Sequence, residues 1–328
     1  MKYFKEDKNK IICLLCRHYC KLKEGQIGVC GVNQNQNHSL KNLVYGKISA
    51  LNVDPIEKKP LYHFLPSSSS LSLGTVGCNL QCPFCQNWQI SQTSDLSNSH
   101  TLTPKQIVDI AIEKGCKSIS YTYNEPTIFY PFAKDIALLA KQRGIKSVYV
   151  SNGLETPEVI EDMIGVIDAF NIDLKSFNED YYKKTLKGSL SGVLDTLKRL
   201  KEGGFWVEVT TLIVPNVNDS SEELNKIASF IAKEMDIYTP WHISAFHPDY
   251  KMDDGDGTSI EKMFEAKEIG EKAGLKYIYV GNIKVDNITK CPKCDKELIK
   301  RNSFSVIENH LIDGKCPNCD RSLEGIYK

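Results

Sequence analysis

Residues 71–85 read LSLGTVGCNLQCPFC, an apolar stretch that runs directly into three cysteines. LSLGTV (71–76) has the short, bounded pattern of a buried β-strand. The cysteines follow as Cys78-x3-Cys82-x2-Cys85 in one loop. Three thiolates so spaced can wrap a cubane [4Fe–4S] cluster, which normally takes four cysteine ligands. One iron then keeps an open position. By analogy with zinc, that separates a catalytic metal site from a structural one. The competing readings are a zinc knuckle short of one ligand and a group of buried cysteines.

Outward from this loop the chain alternates. KSISYTY (117–123), KSVYVS (146–151), AFNIDLKS (169–176), FWVEVTTLIV (205–214) and WHISAF (241–246) read as strands, with KYIYV (276–280) as a seventh. Amphipathic runs lie between them, among them 104–115, 129–144 and 221–236, several ending in Gly or a basic residue. Such alternation predicts an α/β fold with a parallel sheet and outer helices. Six or seven units do not close as eight do, so the expected architecture is an open, partial (β/α)6 TIM-like barrel. Its chemistry belongs at the C-terminal ends of the strands. SSSS (67–70) reads as a loop and DDGDGT (253–258) as a polar surface turn.

The 328 residues are 41% hydrophobic and 25% charged, ample for a core and unlike a disordered chain. Forty-one Lys+Arg balance forty-one Asp+Glu. That argues against a protein whose main task is gripping nucleic-acid phosphates. No apolar run approaches the ~18–20 residues of a membrane span. The polar N-terminus has no h-region, so a cytoplasmic location is expected. Twelve cysteines in such a chain point to metal or redox chemistry rather than disulfides.

The Cys78–Cys85 loop resembles that of the radical S-adenosylmethionine (SAM) enzymes, with CxxxCxxC and an aromatic, Phe84, before the third cysteine. The resemblance implies that SAM chelates the open iron. Reduction then cleaves it to a 5′-deoxyadenosyl radical that abstracts hydrogen. Phe84 is placed to shield the cluster or the adenine. Asn124 and Glu125 follow the second strand, where a carboxylate can accept from the methionine ammonium. Ser151 and Asn152 follow the third and suit ribose hydroxyls. Asp173 and Lys175, two apart, share one face of the fourth. His242 lies on the sixth strand and His247 just past it, with His242 favoured as the SAM contact. The bland alternatives are a helix start at Glu125, a plain turn at 151–153, a structural ion pair and a core histidine.

Glu125, Asp173, Lys175 and His242 together resemble the activating enzymes of glycyl-radical proteins, such as pyruvate formate-lyase activase. A match over nearly the whole chain resembles the AmmeMemoRadiSam-system radical SAM enzymes. It rests on the cysteine pattern at 13–32, VDPIEKKPLYHF (53–64), GTVGCNLQCPFCQNW (74–88), YTYNEPT (121–127) and the terminal CPxC pairs. That family usually continues after HF into a Pro-Gly turn, where this chain has Leu65, Pro66, Ser67 and Ser68. The resemblance implies a protein substrate, with Memo-type or AMMECR-type proteins as partners and flavodoxin or ferredoxin as electron donor. Neither nucleic acid nor a membrane is expected as a partner.

Two further cysteine groups flank the barrel. Cys291-x2-Cys294 and Cys316-x2-Cys319, 21 residues apart, read as paired knuckles of a four-thiolate ribbon. Zinc and an iron–sulfur cluster both fit those ligands. Cys13, Cys16, Cys20 and Cys30 form a less regular group, again open between zinc and iron–sulfur, while Cys116 reads as a buried small residue. The expected division is a cysteine-rich segment and lead-in (1–66), the barrel (67–287) and the ribbon (288–328). The leading expectation is a radical SAM oxidoreductase acting on a protein. Its alternatives are radical SAM modification of a small molecule or of a Memo-type partner. A zinc-ribbon nucleic-acid-binding protein and an iron–sulfur electron carrier stand outside that class.

Overall fold

A computed structural model describes residues 2–328. Its frame is one eight-stranded sheet. The strands are β1 (Ala50–Pro55), β2 (Ser69–Gly74), β3 (Ser118–Tyr121), β4 (Lys146–Ser151), β5 (Ala169–Asp173), β6 (Trp206–Ile213), β7 (Trp241–Ala245) and β8 (Ile278–Gly281), ranked across the sheet in that order. β2 through β8 run parallel. β1 runs antiparallel to β2 on its outer side, Ala50 opposite Gly74. β1 and β8 are therefore the two free edges, and the sheet remains an open partial barrel.

Six helices return the chain between parallel strands: α1 (Pro104–Glu113), α2 (Tyr130–Gln142), α3 (Pro157–Met163), α4 (Leu190–Glu202), α5 (Ser221–Phe230) and α6 (Ile260–Lys272). Hydroxyl caps start five of them. Thr103, Thr156, Ser189, Ser220 and Ser259 each accept a backbone N–H from the first turn, and Thr103 with Gln106 forms a full capping box. β3 is buried at every position, as expected of a strand covered on both faces. The main core runs from the N-terminal cysteines through the whole barrel.

The strand after the serines begins earlier than its composition implies. Ser69 and Ser70 pair with β1 and β3, and the strand ends at Gly74, so Thr75 and Val76 belong to the cysteine loop. In the turn before β2, Leu65 and Ser67 adopt left-handed φ of 41° and 66°. That conformation favours glycine, and this chain holds it with Leu65 and Ser67 instead.

Two three-stranded antiparallel sheets flank the barrel, beside two smaller two-stranded ones. Phe4–Asp7, Lys10–Cys13 and Lys21–Lys23 form the first. Asp286–Lys290, Glu297–Asn302 and Ser305–Asn309 form the second, the ribbon. The chain closes on itself where Ile326 bridges Phe64, with Leu65 N donating to Ile326 O and Ile326 N to His63 O. Among the described residues no helix is long and apolar enough to cross a membrane.

Candidate active site

The cysteine loop leaves the C-terminal end of β2 under tight steric control. A Cβ on Gly74 would sit 2.7 Å from Thr122 O, and one on Gly77 (φ 87°) 2.5 Å from Cys30 O. Neither position tolerates a side chain, so the loop can turn only where glycine stands. Asn124 clamps it: its Oδ1 accepts from Thr75 N at 3.1 Å, and its Nδ2 donates to Gly77 O at 2.8 Å. Leu80 N approaches Cys78 Sγ at 3.5 Å, and Ser91 Oγ lies 3.1 Å from Cys85 Sγ.

Cys78, Cys82 and Cys85 border one cleft of about 170 Å³, together with residues from the ends of β3, β4 and β5. Burial pushes the Cys78 thiol well up, with Glu125 adding to it. Burial pushes Cys82 up to about 11 despite the nearby Lys175 cation. Such thiols ionise when a metal takes the proton's place. Three sulfurs in one cleft are the donor set of a cluster with one open iron. The site fits that group.

The strand-end residues expected to serve SAM converge here, but several are already engaged with one another. Glu125 is buried. Its Oε1 accepts from Thr127 N (2.9 Å) and Ser151 Oγ (2.9 Å), and its Oε2 from Asn152 N (2.8 Å) and Ser151 Oγ (3.1 Å). It also caps the short 3-10 turn Pro126–Phe129. Burial raises its pKa, and so does Glu155, a second buried carboxylate the sequence did not single out. Asn152 Nδ2 donates to Asn79 Oδ1 at 2.8 Å, tying the β4 loop to the cysteine loop. Asp173 and Lys175 pair at 2.7 Å on the cleft wall, Asp173 still about a third exposed. Burial works to lower Lys175, but Asp173 and Cys82 outweigh it and hold the ammonium charged.

Two expected site residues lie elsewhere. Phe84 is buried in the main core and is not among the residues that border the thiol cleft. His242 borders a second cavity of about 350 Å³, which shares Asn87, Thr122 and Tyr123 as walls with the first. Its Nε2 lies 2.6 Å from Glu208 Oε2. Burial raises the Glu208 carboxyl, but His242 and other donors outweigh it and bring it below its ordinary value. Glu208 is therefore a carboxylate, and His242 Nε2–H donates to it. Glu208 also accepts from the backbone of Tyr62 and His63 and from Trp206 Nε1. His247 instead lies 3.1 Å from Asn282 O.

The second cavity depends on residues that sequence reasoning missed. Asp54 accepts from Lys59 Nζ (2.7 Å) and Tyr123 OH (2.8 Å) beneath it. From the ribbon, Phe304 contributes to the wall, and the fully buried Arg301 reaches the barrel. Arg301 lies 4.4 Å from the Tyr62 ring, donates to Tyr62 O at 2.6 Å and faces Glu57 at 3.8 Å. Asp54, Glu57, Lys59 and Tyr62 all fall within VDPIEKKPLYHF, where the sequence shows the charges but not their burial.

The ribbon thiols form the tightest donor group. Cys291, Cys294, Cys316 and Cys319 place their sulfurs within 4.8 Å of one another, with contacts of 3.6 Å (Cys291–Cys319) and 3.7 Å (Cys294–Cys316). A tetrahedral ion with metal–sulfur bonds of about 2.3 Å needs sulfurs about 3.8 Å apart. Cys116 is buried and free.

Comparison with known proteins accords with this geometry. The family model described as the radical SAM superfamily matches residues 72–231, from β2 to just beyond α5. The chain belongs to the radical SAM superfamily. It is 42% identical to the uncharacterized protein MJ0808 of Methanocaldococcus jannaschii, over 99% of this chain and 98% of that one. A putative glycyl-radical enzyme activating enzyme of the same organism is 30% identical, over 65% of this chain and 88% of that one. In fold the chain resembles a radical SAM methyltransferase from Sphaerobacter thermophilus, with a TM-score of 0.52 at 16% identity, over 67% of this chain and 68% of that one. The superfamily implies a [4Fe–4S] cluster and SAM, and the Cys78–Cys85 cleft is where this radical SAM enzyme has the residues to hold them.

Proposed function

We propose that this radical SAM enzyme works as an activating-type oxidoreductase that abstracts a hydrogen atom from a protein substrate. The cluster and SAM, when bound, supply the one-electron chemistry that yields a 5′-deoxyadenosyl radical. Cys78, Cys82 and Cys85 hold the cluster. Lys175 takes an anionic group of SAM and Asp173 a cationic or hydroxyl group, both preset by their mutual pairing. Glu125, Ser151, Asn152 and Asn124 fix the two loops between which SAM lies. His242, oriented by Glu208, borders the second cavity, where the substrate would sit.

The observation that carries the reading is the meeting, in one cleft, of the three thiols with the Asp173–Lys175 pair. Likeness to a glycyl-radical enzyme activating enzyme supports a protein as substrate, with Memo-type and AMMECR-type proteins as the partners to try first. A second reading, a small-molecule substrate, is favoured by the modest size of the second cavity, about 350 Å³. For the ribbon we propose zinc, on the strength of its sulfur spacing.

The test is anaerobic. Iron, sulfide and zinc are counted, then dithionite and SAM are added and 5′-deoxyadenosine is measured. Cleavage that rises with a candidate protein, together with a mass change or radical signal on that protein, is the expected result. Cleavage that responds only to metabolites moves the assignment to the second reading. No cleavage after full reconstitution sinks both.

A further inference from the structure

Cys13, Cys16, Cys20 and Cys30 take no part in the cleft or in the ribbon. Cys13 ends the strand Lys10–Cys13, and Cys16 sits where the chain bridges to Glu155. Cys20 precedes the strand Lys21–Lys23, and Cys30 lies in the turn before Asn33–Gln36. Cys13, Cys16 and Cys30 are buried, and all four are free thiols. The four sulfurs are electrostatic neighbours: Cys30 acts on Cys13, Cys16 and Cys20, and Cys13 on Cys16.

Backbone N–H groups of Leu15, His18 and Val29 favour the ionised forms of Cys13, Cys16 and Cys20 against the burial that opposes them. Asn33 Nδ2 lies 3.5 Å from Cys30 Sγ. The donors to Cys13 and Cys16 come from two residues on, the relation Leu80 N has to Cys78. Donors converging on buried sulfurs suit thiolates, because a hydrogen bond to an ionised acceptor is roughly twice as strong as one to a neutral acceptor. Spacing discriminates between metals. Among the described residues only the ribbon sulfurs crowd around a single point. The N-terminal four are spread more widely, as are the catalytic three. A cubane gives each thiolate its own iron and so takes sulfurs set wider apart than one zinc ion does.

A second observation lies between the two sites. Asn79 follows Cys78 directly and is 3% exposed. Its Oδ1 is held by Asn152 and its carbonyl lies 2.8 Å from His18 Nε2. Its side chain lies against Cys16, and its buried Nδ2 is without an oxygen partner. An orphaned buried donor opposes folding, unless a thiolate or cluster sulfide receives it.

We propose that Cys13, Cys16, Cys20 and Cys30 bind a second [4Fe–4S] cluster that delivers electrons to the catalytic one across Asn79. A reduced flavodoxin or ferredoxin gives one electron to this cluster. The same electron passes to the catalytic cluster and is consumed in breaking one S–C bond of SAM. This goes beyond the proposed reaction, which requires only the catalytic site.

The test removes the catalytic ligands and asks what iron remains. C78A/C82A/C85A, reconstituted anaerobically, should retain about four iron and four sulfide and give a reduced-cluster electron paramagnetic signal after dithionite. Adding Cys13→Ser and Cys30→Ser should abolish both. A folded triple variant with no sulfide, or with zinc alone at the N-terminal group, overturns the proposal. If the triple variant fails to fold, Cys13→Ser with Cys30→Ser in the full chain decides: loss of about four iron supports the second cluster, and unchanged iron overturns it. C13S/C30S in the full chain should lose at least tenfold more SAM cleavage with flavodoxin than with dithionite. Equal loss with both reductants overturns the relay.

Discussion

Glu125 shows how a strand-end carboxylate can serve the fold before it serves a ligand. Its four acceptor contacts go to Thr127, Ser151 and Asn152, so it binds the β3 and β4 loops together before any ligand arrives. Glu125→Ala frees both loops and removes charge-assisted hydrogen bonds worth about 1.5–3 kcal/mol each. We expect SAM affinity, measured by equilibrium dialysis, to fall at least tenfold while iron content stays constant. Unchanged affinity would remove Glu125 from the site. Burial and Glu155 raise its pKa above the ordinary 4.5. A raised carboxyl favours the fold while protonated, so its stabilisation is complete below 4.5 and fades as pH climbs through the raised value. Glu155→Gln relieves the repulsion, and the fall of Tm with rising pH should flatten. Sequence could read residue types at strand ends. It could not read how polar groups pair across loops that meet only after folding.

Among elements, the ribbon behaves as part of the barrel wall. Arg301 passes from its central strand to Tyr62 and Glu57 in a seam free of solvent. Removing one partner of a buried charge pair costs about 3–5 kcal/mol. Arg301→Met should therefore lower stability on that scale by denaturant titration, and E57Q in the same chain should recover part of it. A variant as stable as the parent would show that the seam carries no weight. His63 lies in this seam, with Nε2 2.6 Å from Tyr279 OH and Nδ1 2.8 Å from Glu324 O. Burial lowers its pKa from 6.5 to about 4. Its contribution is whole above 6.5 and is lost as pH falls toward 4. Limited proteolysis should then detect the ribbon loosening before the barrel melts, and simultaneous cleavage of both would refute this order. β2–β8 were legible because fully buried strands read as continuous apolar runs. β1 was not, because ALNVDP presents a mostly exposed face and gains its place by pairing with β2.

At the scale of the molecule, three thiol groups sit on one continuous frame with different spacings. A strong zinc chelator should empty the ribbon, open the second cavity by releasing Phe304 and Arg301, and leave cluster iron in place. Substrate-independent SAM cleavage should persist while cleavage coupled to a partner falls. Loss of both together would show the ribbon to be needed for the barrel itself. The spacing of cysteines along the chain revealed the groups, but their separation in space, which decides the metal, was not legible from the sequence. The closing contacts of the seam have a consequence for biosynthesis. His63 finds its carbonyl partner on Glu324, 261 positions later. Chains fold from the N-terminal end as they are made, so β1 through β8 assemble while this flank is still bare. The Glu57–His63 flank is covered only once the ribbon emerges. A chain stalled before the ribbon should therefore be cut first at this bare flank by limited proteolysis.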